Sequence, residues 1–243
     1  MELMEISSTI RASRILRNFI EDLEEENNIK IPNFIEKKEN MPILTPLQRE
    51  IDDCIDENGA VLDSASIELR AIRQQLRSEE SKVRQRLESL TRGANAAKML
   101  SDSIITIRND RFVIPVKQEY RSHYGGIVHD QSSSGQTLFI EPESVVQINN
   151  EIQRLKAREK AEIEKILIAL SQKVQESASE LLMITHILGE IDVILAKAKY
   201  GVANKCSKPE VNQEGYIRLV QARHPLISIE EAVGLVQSGQ KVC

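Results

Sequence analysis

Basic and hydroxyl side chains that can bind phosphate groups are concentrated in the middle of this 243-residue chain. Lys117, Arg121 and His123 stand just before Gly125-Gly126, and three consecutive serines precede Gly135. Cations bind nucleic acid by releasing the counterions of its phosphates, and serine hydroxyls and backbone N–H groups donate hydrogen bonds to phosphate oxygens. The predicted nucleic-acid-binding residues are Lys117, Arg121, His123, Arg108, Arg111, Ser132, Ser133, Ser134, Arg86 and Arg92.

Each of these groups also has a plainer interpretation. The cations beside the glycine pair can decorate a solvated hairpin, and the serine run can be a flexible turn. Arg86 and Arg92 belong to a series of basic residues along one long helix, where such residues commonly pair with acidic side chains of a neighbouring helix. They are the members of that series nearest the serine-containing segment, and this makes them its better candidates for contact with nucleic acid.

No arrangement of residues predicts catalysis or metal binding. His129 and Asp130 are adjacent, but neighbouring residues of a strand point to opposite faces, and no nucleophile is placed for them. The four histidines are not clustered for a metal, and the three cysteines have neither metal spacing nor a disulfide framework. We therefore predict no catalytic, metal or cofactor site in this chain. An intact enzyme would be recognised by nucleotide binding, which we expect to be absent.

Composition favours a helical protein with an uneven charge distribution. Hydrophobic residues make up 41% of the chain and aromatic residues only 3%, which is too few aromatics for an all-β protein. The net charge is −5, but residues 1–60 carry 7 basic against 14 acidic residues, whereas residues 61–98 carry 8 against 5. The cysteine usage suits a reducing cytoplasm, so we predict a cytoplasmic protein. We find no signal peptide and no apolar run that could span a bilayer, so we predict no membrane partner.

A β-rich segment lies between two long helical segments. Strands are predicted at 104–107, 112–117, 127–130 and 136–140, with a further one at 217–220. Pro115 predicts that the second of these is an edge strand or carries a bulge. Helices are predicted at 1–26, 33–39, 62–92 and 94–100. Another helix begins with Thr45 as its cap and Pro46 in its first turn. The last predicted helix runs from 143 to 187 or 200, with Gly189 and Gly201 as candidate breaks. The predicted fold is mainly α and elongated, with a helical core, a two-helix lever and a small antiparallel β clamp inserted at its tip.

Three motifs in the β-rich segment resemble one known family. They are Arg111-Phe-Val-Ile-Pro-Val-Lys117, Gly126-Ile-Val-His-Asp-Gln-Ser-Ser-Ser-Gly135 and Thr137-Leu-Phe-Ile-Glu-Pro142. Together they resemble the bacterial MutS-two family, the MutS paralogue that lacks the mismatch-reading domain. The resemblance continues through Asn149-Asn150-Glu151 and ends at Ala222-Arg-His-Pro-Leu226, where it is similar to the entry to the family's ATPase domain.

The resemblance implies a domain organisation for the chain. It implies a partial core domain at 1–60 and 188–205, lever helices at 61–100 and 143–187, a β clamp at 101–142, and the truncated start of an ATPase domain or an added tail at 206–243. The origin of residues 228–243 stays open. The family's Gly-Lys-Ser/Thr phosphate loop is absent from this sequence, as is its C-terminal nuclease-like domain. We therefore expect neither ATPase nor nuclease activity from the chain itself.

The resemblance also implies a function for the whole protein. Paired subunits would close levers and clamps around duplex or branched DNA, or around ribosomal RNA, reading backbone and shape. The implied roles are suppression of recombination or rescue of stalled ribosomes, by an ATPase that uses ATP and Mg²⁺ and for which endonuclease activity is claimed. The whole protein would be a homodimer. Because dimer contacts in the family largely involve the ATPase, a monomer is expected for this chain.

A different class of function is a coiled-coil adaptor that binds protein through the tip of its β-hairpin. An apolar patch on the hairpin would favour this alternative, and Phe139 and Ile140 can supply one. The sequence does not decide between DNA and RNA as target, nor does it decide whether the chain dimerises or whether the isolated clamp binds measurably.

Overall fold

The computed structural model describes residues 1–25, 31–93, 95–220 and 222. Within these residues the chain is mainly α-helical, with eight α-helices and one four-stranded antiparallel sheet, which confirms the predicted fold class. The chain divides into two compact units. One is formed by Met1–Ala12 and Ile43–Ser179, and the other by Ser13–Pro42 and the described part of Glu180–Cys243.

Five helices precede the sheet: α1 (Glu2–Glu25), α2 (Pro32–Glu39), α3 (Thr45–Cys54), α4 (Ile67–Thr91) and α5 (Ala96–Met99). The start of α4 differs from the predicted start at residue 62. Ser66 is the N-cap, and its hydroxyl accepts a hydrogen bond from the Leu69 N–H at 2.9 Å, so the helix begins where this cap satisfies its first free amides. Thr45 is the first helical residue of α3 and not its cap, which is Leu44.

The four strands are β1 (Thr106–Arg108), β2 (Arg111–Lys117), β3 (Ile127–Gln131) and β4 (Thr137–Glu141), in the order β1-β2-β4-β3. A single 3-10 turn (Gln118–Tyr120) and the four-residue helix α6 (Arg121–Tyr124) connect β2 to β3. All neighbouring strands are antiparallel, and a register shift between Val128 and Asp130 marks a bulge in β3.

The position of Pro115 corrects one prediction. Its strand, β2, is not at an edge but lies between β1 and β4. Pro115 stands opposite Phe139 of β4, yet its carbonyl accepts a hydrogen bond from the Ser101 N–H at 3.0 Å on the other side of the strand. Because the two polar groups of a strand residue point to the same side, the nitrogen of Pro115 also faces away from β4. The ladder with β1 stops at Val113, so the missing N–H removes no ladder hydrogen bond there.

The helical run after the sheet is divided at Ser177 into α7 (Glu143–Glu176) and α8 (Ala178–Ala203). The Ser177 N–H is shared between the carbonyls of Lys173 and Val174, at 3.3 and 3.1 Å, which tightens the last turn of α7. The predicted breaks at Gly189 and Gly201 are wrong, since both residues lie inside α8. A helix-interior glycine costs about 1 kcal/mol relative to alanine, which a packed helix can absorb.

The core of the first unit lies between the sheet and the paired helices α4 and α7. Val83 and Leu87 of α4 pack with Ile114 and Ile140 of the sheet and with Ile152 of α7, all fully buried. Each such side chain contributes roughly 1.5–3 kcal/mol through removal of apolar surface from water. Phe112, Ile114 and Val116 are alternate residues of β2 and share the face that packs in this core, while Val113 and Pro115 on the other face are buried as well.

The second unit contains the later part of α1 together with α2 and α8. Its buried apolar residues are Ile20, Met41, Ile184, Ile187 and Ile191. Ion pairs join Lys38 to Glu24 at 2.8 Å and Lys37 to Glu190 at 2.5 Å.

The chain beyond α8 is described as far as residue 220, with residue 222 in addition. Residues 217–220 are neither helix nor strand, so the strand predicted there is wrong, because no neighbouring strand supplies a ladder for it within the described residues. The resemblance to an ATPase entry at 222–226 lies outside the described residues except for residue 222. No helix in the described part combines the length and apolar character that a bilayer span requires.

Candidate nucleic-acid interface

The strand register brings Lys117 and the serine run together at one end of the sheet. Lys117 of β2 is the cross-strand partner of Thr137 of β4. The Ser132 N–H donates to the Thr137 carbonyl at 2.9 Å, and the Gln118 N–H donates to the Gln136 carbonyl at 3.0 Å. The turn between β3 and β4 therefore lies beside the end of β2. We call this region the serine end; it consists of Lys98, Ser101, Lys117, Ser132, Ser133, Ser134 and Thr137.

Hydroxyl groups cluster at the serine end. The Ser101 and Thr137 hydroxyl oxygens are 2.7 Å apart, and those of Ser132 and Ser134 are 3.3 Å apart. The Ser132 hydroxyl accepts from the Thr137 N–H at 3.1 Å, and the Gly135 N–H donates to the Ser132 carbonyl at 2.8 Å. These bonds hold the turn in one conformation, with Ser133 and Ser134 exposed. Hydroxyls presented in this way can donate to an anionic oxygen.

Lys98 meets the serine end through its backbone, a contact that the sequence did not predict. The Lys117 Nζ donates to the Lys98 carbonyl at 2.9 Å, and Leu100 forms an isolated bridge with Val116. This long-range pairing places α5 against the end of β2, and Lys98 itself is exposed. Two N–H groups of the Lys117 ammonium stay available to a ligand. The acidic residues that flank the region in sequence are Asp102 and Glu119, both exposed.

Arg121 and His123 lie on α6, the segment that connects β2 to β3. Both are exposed, and the His123 ring meets the Tyr124 ring edge to face, with 5.2 Å between the centroids. Tyr124 packs against the core, and burial raises the pKa of its hydroxyl above the ordinary value. The phenol is therefore neutral at physiological pH. Arg121 follows Lys117, the last residue of β2, by four residues.

Arg108 and Arg111 lie at the opposite end of the sheet, where they are cross-strand partners. The Arg108 Nε is 3.0 Å from Asp130 Oδ2, and its guanidinium covers the Phe139 ring at 4.4 Å. The Arg111 Nη1 donates to Glu141 Oε1 at 3.1 Å and to Asn150 Oδ1 at 2.7 Å. The structure thus places these two arginines away from the serine end. Each of them forms an ion pair with a carboxylate of the same chain.

Arg86 and Arg92 lie on the exposed side of the last turns of α4. Arg92 follows the helix as its C-cap and forms an ion pair with Glu88 at 3.3 Å, a surface pair of the kind that contributes little. Arg84, which was not among the predicted residues, covers the Phe112 ring at 5.1 Å. Whether Arg86 and Arg92 contact nucleic acid stays a prediction.

Ile127 of β3 is exposed, whereas the two hairpin residues predicted to supply an apolar patch, Phe139 and Ile140, are not. Ile140 is fully buried in the core, so the expectation that it supplies a surface patch is wrong. The strand period explains this outcome, because Ile140 points to the helices while its neighbour Phe139 points to the other face. Phe139 is half-buried beneath the Arg108 guanidinium.

His129 and Asp130 have separate structural partners. The His129 Nε2 is 2.6 Å from Glu141 Oε2, whereas Asp130 pairs with Arg108. Neither bond includes a nucleophile. Within the described ranges, no group of three His, Cys, Asp or Glu side chains is placed to hold a metal ion.

Comparison with known proteins identifies similar sequences. No protein-family model matches the chain. It is 55% identical over 232 residues to a protein of Geobacillus sp. (strain WCH70) named "Endonuclease MutS2", and 52% identical over 232 residues to one of the same name from Halalkalibacterium halodurans. It is also 52% identical to the "Putative endonuclease MutS2" of Bacillus subtilis (strain 168). These alignments cover 96% of the chain but only 29–30% of each relative, so the chain spans under a third of the length of the curated relatives it matches.

Proposed function

The chain belongs to the MutS2 family, and from that premise we propose that it engages nucleic acid through the serine end of its sheet. In this proposal the paired helices α4 and α7 are the lever, and the sheet is the clamp. The observation that carries the proposal is the convergence of Lys98, Lys117 and the serine turn through the β2–β4 register and the Lys117–Lys98 bond. Arg121 extends the same positive charge along α6.

The chemistry of these groups favours contact with the nucleic-acid backbone. Ammonium and hydroxyl groups satisfy phosphate oxygens but do not by themselves read base edges. Sequence preference should therefore be weak, dependence on salt should be steep, and duplex or branched DNA and structured RNA are all admissible targets. Arg108 and Arg111 are not expected to contribute much, because their charges are already neutralised by Asp130 and Glu141.

The whole protein's activities are a wider proposal. The relatives are named endonucleases, and by analogy the whole protein that contains this chain would act on nucleic acid as a homodimer. ATP and Mg²⁺ would serve its ATPase, but the 243 residues here hold no Gly-Lys-Ser/Thr loop that could cradle phosphates. Suppression of recombination and rescue of stalled ribosomes are both compatible with a clamp that reads backbone and shape.

The proposal is tested by fluorescence-anisotropy binding to duplex DNA, a four-way junction and structured RNA at two salt concentrations. The test variant combines Lys98→Gln with Lys117→Gln. The control combines Lys197→Gln with Lys199→Gln, two exposed lysines of α8, and changes the net charge by the same amount.

We expect binding that weakens with salt, is lost in the serine-end variant and is retained in the control. Equal losses in both variants would mean that only the overall charge matters, and the serine end would then not be the binding surface. Binding that survives in both variants would move the interface elsewhere on the chain.

A further inference from the structure

A buried polar network surrounds the junction between the sheet and α7. Glu141 is the last residue of β4 and is completely buried. Its carboxylate accepts from Arg111 Nη1 of β2 at 3.1 Å and from Asn149 Nδ2 of α7 at 2.8 Å, and its other oxygen lies 2.6 Å from His129 Nε2 of β3. One carboxylate therefore joins three strands of the sheet to the helix that follows it. A buried charge is tolerated only when it is satisfied in this way.

Asn149 continues the sheet beyond the point where β4 ends. Its Oδ1 accepts from the Phe112 N–H at 3.3 Å, and its Nδ2 donates to the Phe112 carbonyl at 3.1 Å. The ladder between β2 and β4 runs from Lys117 only to Ile114. At Phe112, β4 no longer supplies a backbone partner, and the Asn149 side-chain amide takes its place. A side chain of α7 thus makes the two hydrogen bonds to β2 that a further residue of β4 would otherwise make.

Two further contacts extend this attachment. Arg111 also donates to Asn150 Oδ1 at 2.7 Å, and Gln153 Nε2 donates to the Asp110 carbonyl. On the other side, Gly126 packs so closely on the junction that an added Cβ would stand 2.0 Å from the Glu141 carbonyl oxygen and 2.8 Å from the Glu143 nitrogen. The first three turns of α7 are therefore bonded to the sheet on several sides.

The attachment of the sheet to α4 is of a different kind. Apolar contacts of Val83 and Leu87 with the core, and the Arg84 guanidinium over the Phe112 ring, bring α4 to the sheet. Apolar surfaces are non-directional and can shift against one another, whereas buried hydrogen bonds fix orientation. The chain also runs directly from β4 through Pro142 into α7, whereas residues 92–105 separate α4 from β1, and within them it is Lys98, Leu100 and Ser101, not α4 itself, that are bonded to β2.

We propose that the sheet and the first turns of α7 form one rigid body, with Glu141 and Asn149 as the positioning residues, and that the sheet moves with α7 when α7 shifts against α4. The direction in which the serine end points is then set by α7. This inference concerns the mechanics of the first unit and holds whatever ligand the serine end binds.

The test measures distance distributions between spin labels in the full chain by pulsed electron paramagnetic resonance. Cys54, Cys206 and Cys243 are first replaced by serine. One label pair joins Gln136, the residue immediately before β4, to Ala157 of α7, and the other joins Gln136 to Gln85 of α4; all three positions are exposed. Urea is added in steps below the unfolding transition. We expect the Gln136–Gln85 distribution to broaden first, while the Gln136–Ala157 distribution keeps its width.

Substitutions then test whether the hydrogen bonds of Glu141 and Asn149 cause the difference between the two label pairs. Asn149→Ala should abolish the difference between the two pairs, whereas Gln147→Ala, at an exposed position on the same helix, should preserve it. Should Asn149→Ala fail to fold, Glu141→Gln keeps the side-chain shape, removes the charge and is expected to act in the same direction. The proposal is overturned if both distributions of the unsubstituted protein broaden together, or if the folded Asn149→Ala and Glu141→Gln proteins retain the difference.

Discussion

Gly126 shows at the scale of one residue how tightly the sheet is joined to α7. Its φ is +80°, and a Cβ there would meet the Glu141 carbonyl oxygen at 2.0 Å, whereas Gly135, with a φ of +71°, has nothing within 4 Å of its virtual Cβ. Gly135→Ala should therefore cost only the strain of a left-handed backbone, about 1–2 kcal/mol. Gly126→Ala adds a clash with backbone atoms and should cost roughly 4 kcal/mol or more.

Urea unfolding of the two glycine variants measures how much unfolding free energy each substitution removes. Gly135→Ala serves as the control for positive φ alone. Equal losses of unfolding free energy in the two variants would contradict the packing of Gly126 on the junction.

Glu162 of α7 gives the first unit an acid-sensitive contact. It is buried and accepts from the Ser66 hydroxyl at 2.9 Å and from Lys165 Nζ at 3.2 Å. The hydrogen bond from Ser66, aided by Lys165, holds the pKa of Glu162 below its ordinary value of 4.5. A carboxyl with a depressed folded-state pKa stabilises the fold above its unfolded-state pKa, and this stability is lost as pH falls through the folded-state pKa.

We therefore expect Glu162→Gln to lower the free energy of unfolding at pH 7 and the deficit to shrink as pH falls below about 4.5. Urea unfolding across this range measures the gap between the two proteins. Glu164→Gln, an exposed position two residues along the helix, is the control and should show little deficit at any pH. A deficit for Glu162→Gln that is independent of pH would show that the ionised carboxylate contributes nothing.

Single residues also show what the sequence could predict about the site. The sequence could place the serine run and Lys117 at strand ends, because hairpin periodicity is a local property, and their contact with nucleic acid stays a prediction. Lys98 was missed because its place depends on the bridge between Leu100 and Val116, a contact that no local pattern encodes. The use of Asn149 as a substitute strand residue was missed for the same reason, since an asparagine in a polar helical segment resembles any solvated residue.

At the scale of elements, the start of α4 depends on Ser66. Its hydroxyl both caps the helix at Leu69 and donates to Glu162 across the α4–α7 pair. Ser66→Ala should remove both bonds and lower the unfolding free energy by about 1–2 kcal/mol, as loss of an N-cap commonly does. Ser66→Thr keeps the hydroxyl and should recover most of that loss. Chemical denaturation of the three proteins provides the comparison, and an alanine variant as stable as the threonine variant would refute the dual role.

Element boundaries were predicted well where local chemistry sets them and poorly where packing does. Helix α1 and the four strands lie within two residues of their predicted positions, because apolar periodicity and turn residues define them. The break at Ser177 had no sequence signal, whereas Gly189, which had one, lies inside α8. Pro115 predicted an edge strand or a bulge, but the fold needs only that no ladder hydrogen bond requires an N–H at that one residue, a condition that the early end of the β1 ladder meets.

At the scale of the whole molecule, the proposed binding of a polyanion requires a locally basic surface, because the chain as a whole is acidic. The net charge is −5, and a local surface of Lys98, Lys117 and Arg121 overcomes it only within about a Debye length. If these three cations each neutralise one phosphate of a duplex, the logarithm of the binding constant should fall against the logarithm of salt concentration with a slope of about −3.

The slope of the salt dependence distinguishes the effect of cations that contact phosphates from the effect of the net charge. A single affinity cannot make this distinction. Lys98→Gln with Lys117→Gln should reduce the slope to about −1, because two phosphate contacts are lost. Lys197→Gln with Lys199→Gln changes the net charge by the same two units, from −5 to −7, and should leave the slope near −3, since net charge alters long-range attraction without adding or removing released counterions. Titrations of duplex DNA at four or more salt concentrations determine all three slopes. If the two double variants share one slope, the whole molecule's field and not the serine end governs binding, and the interface proposed for the clamp is wrong.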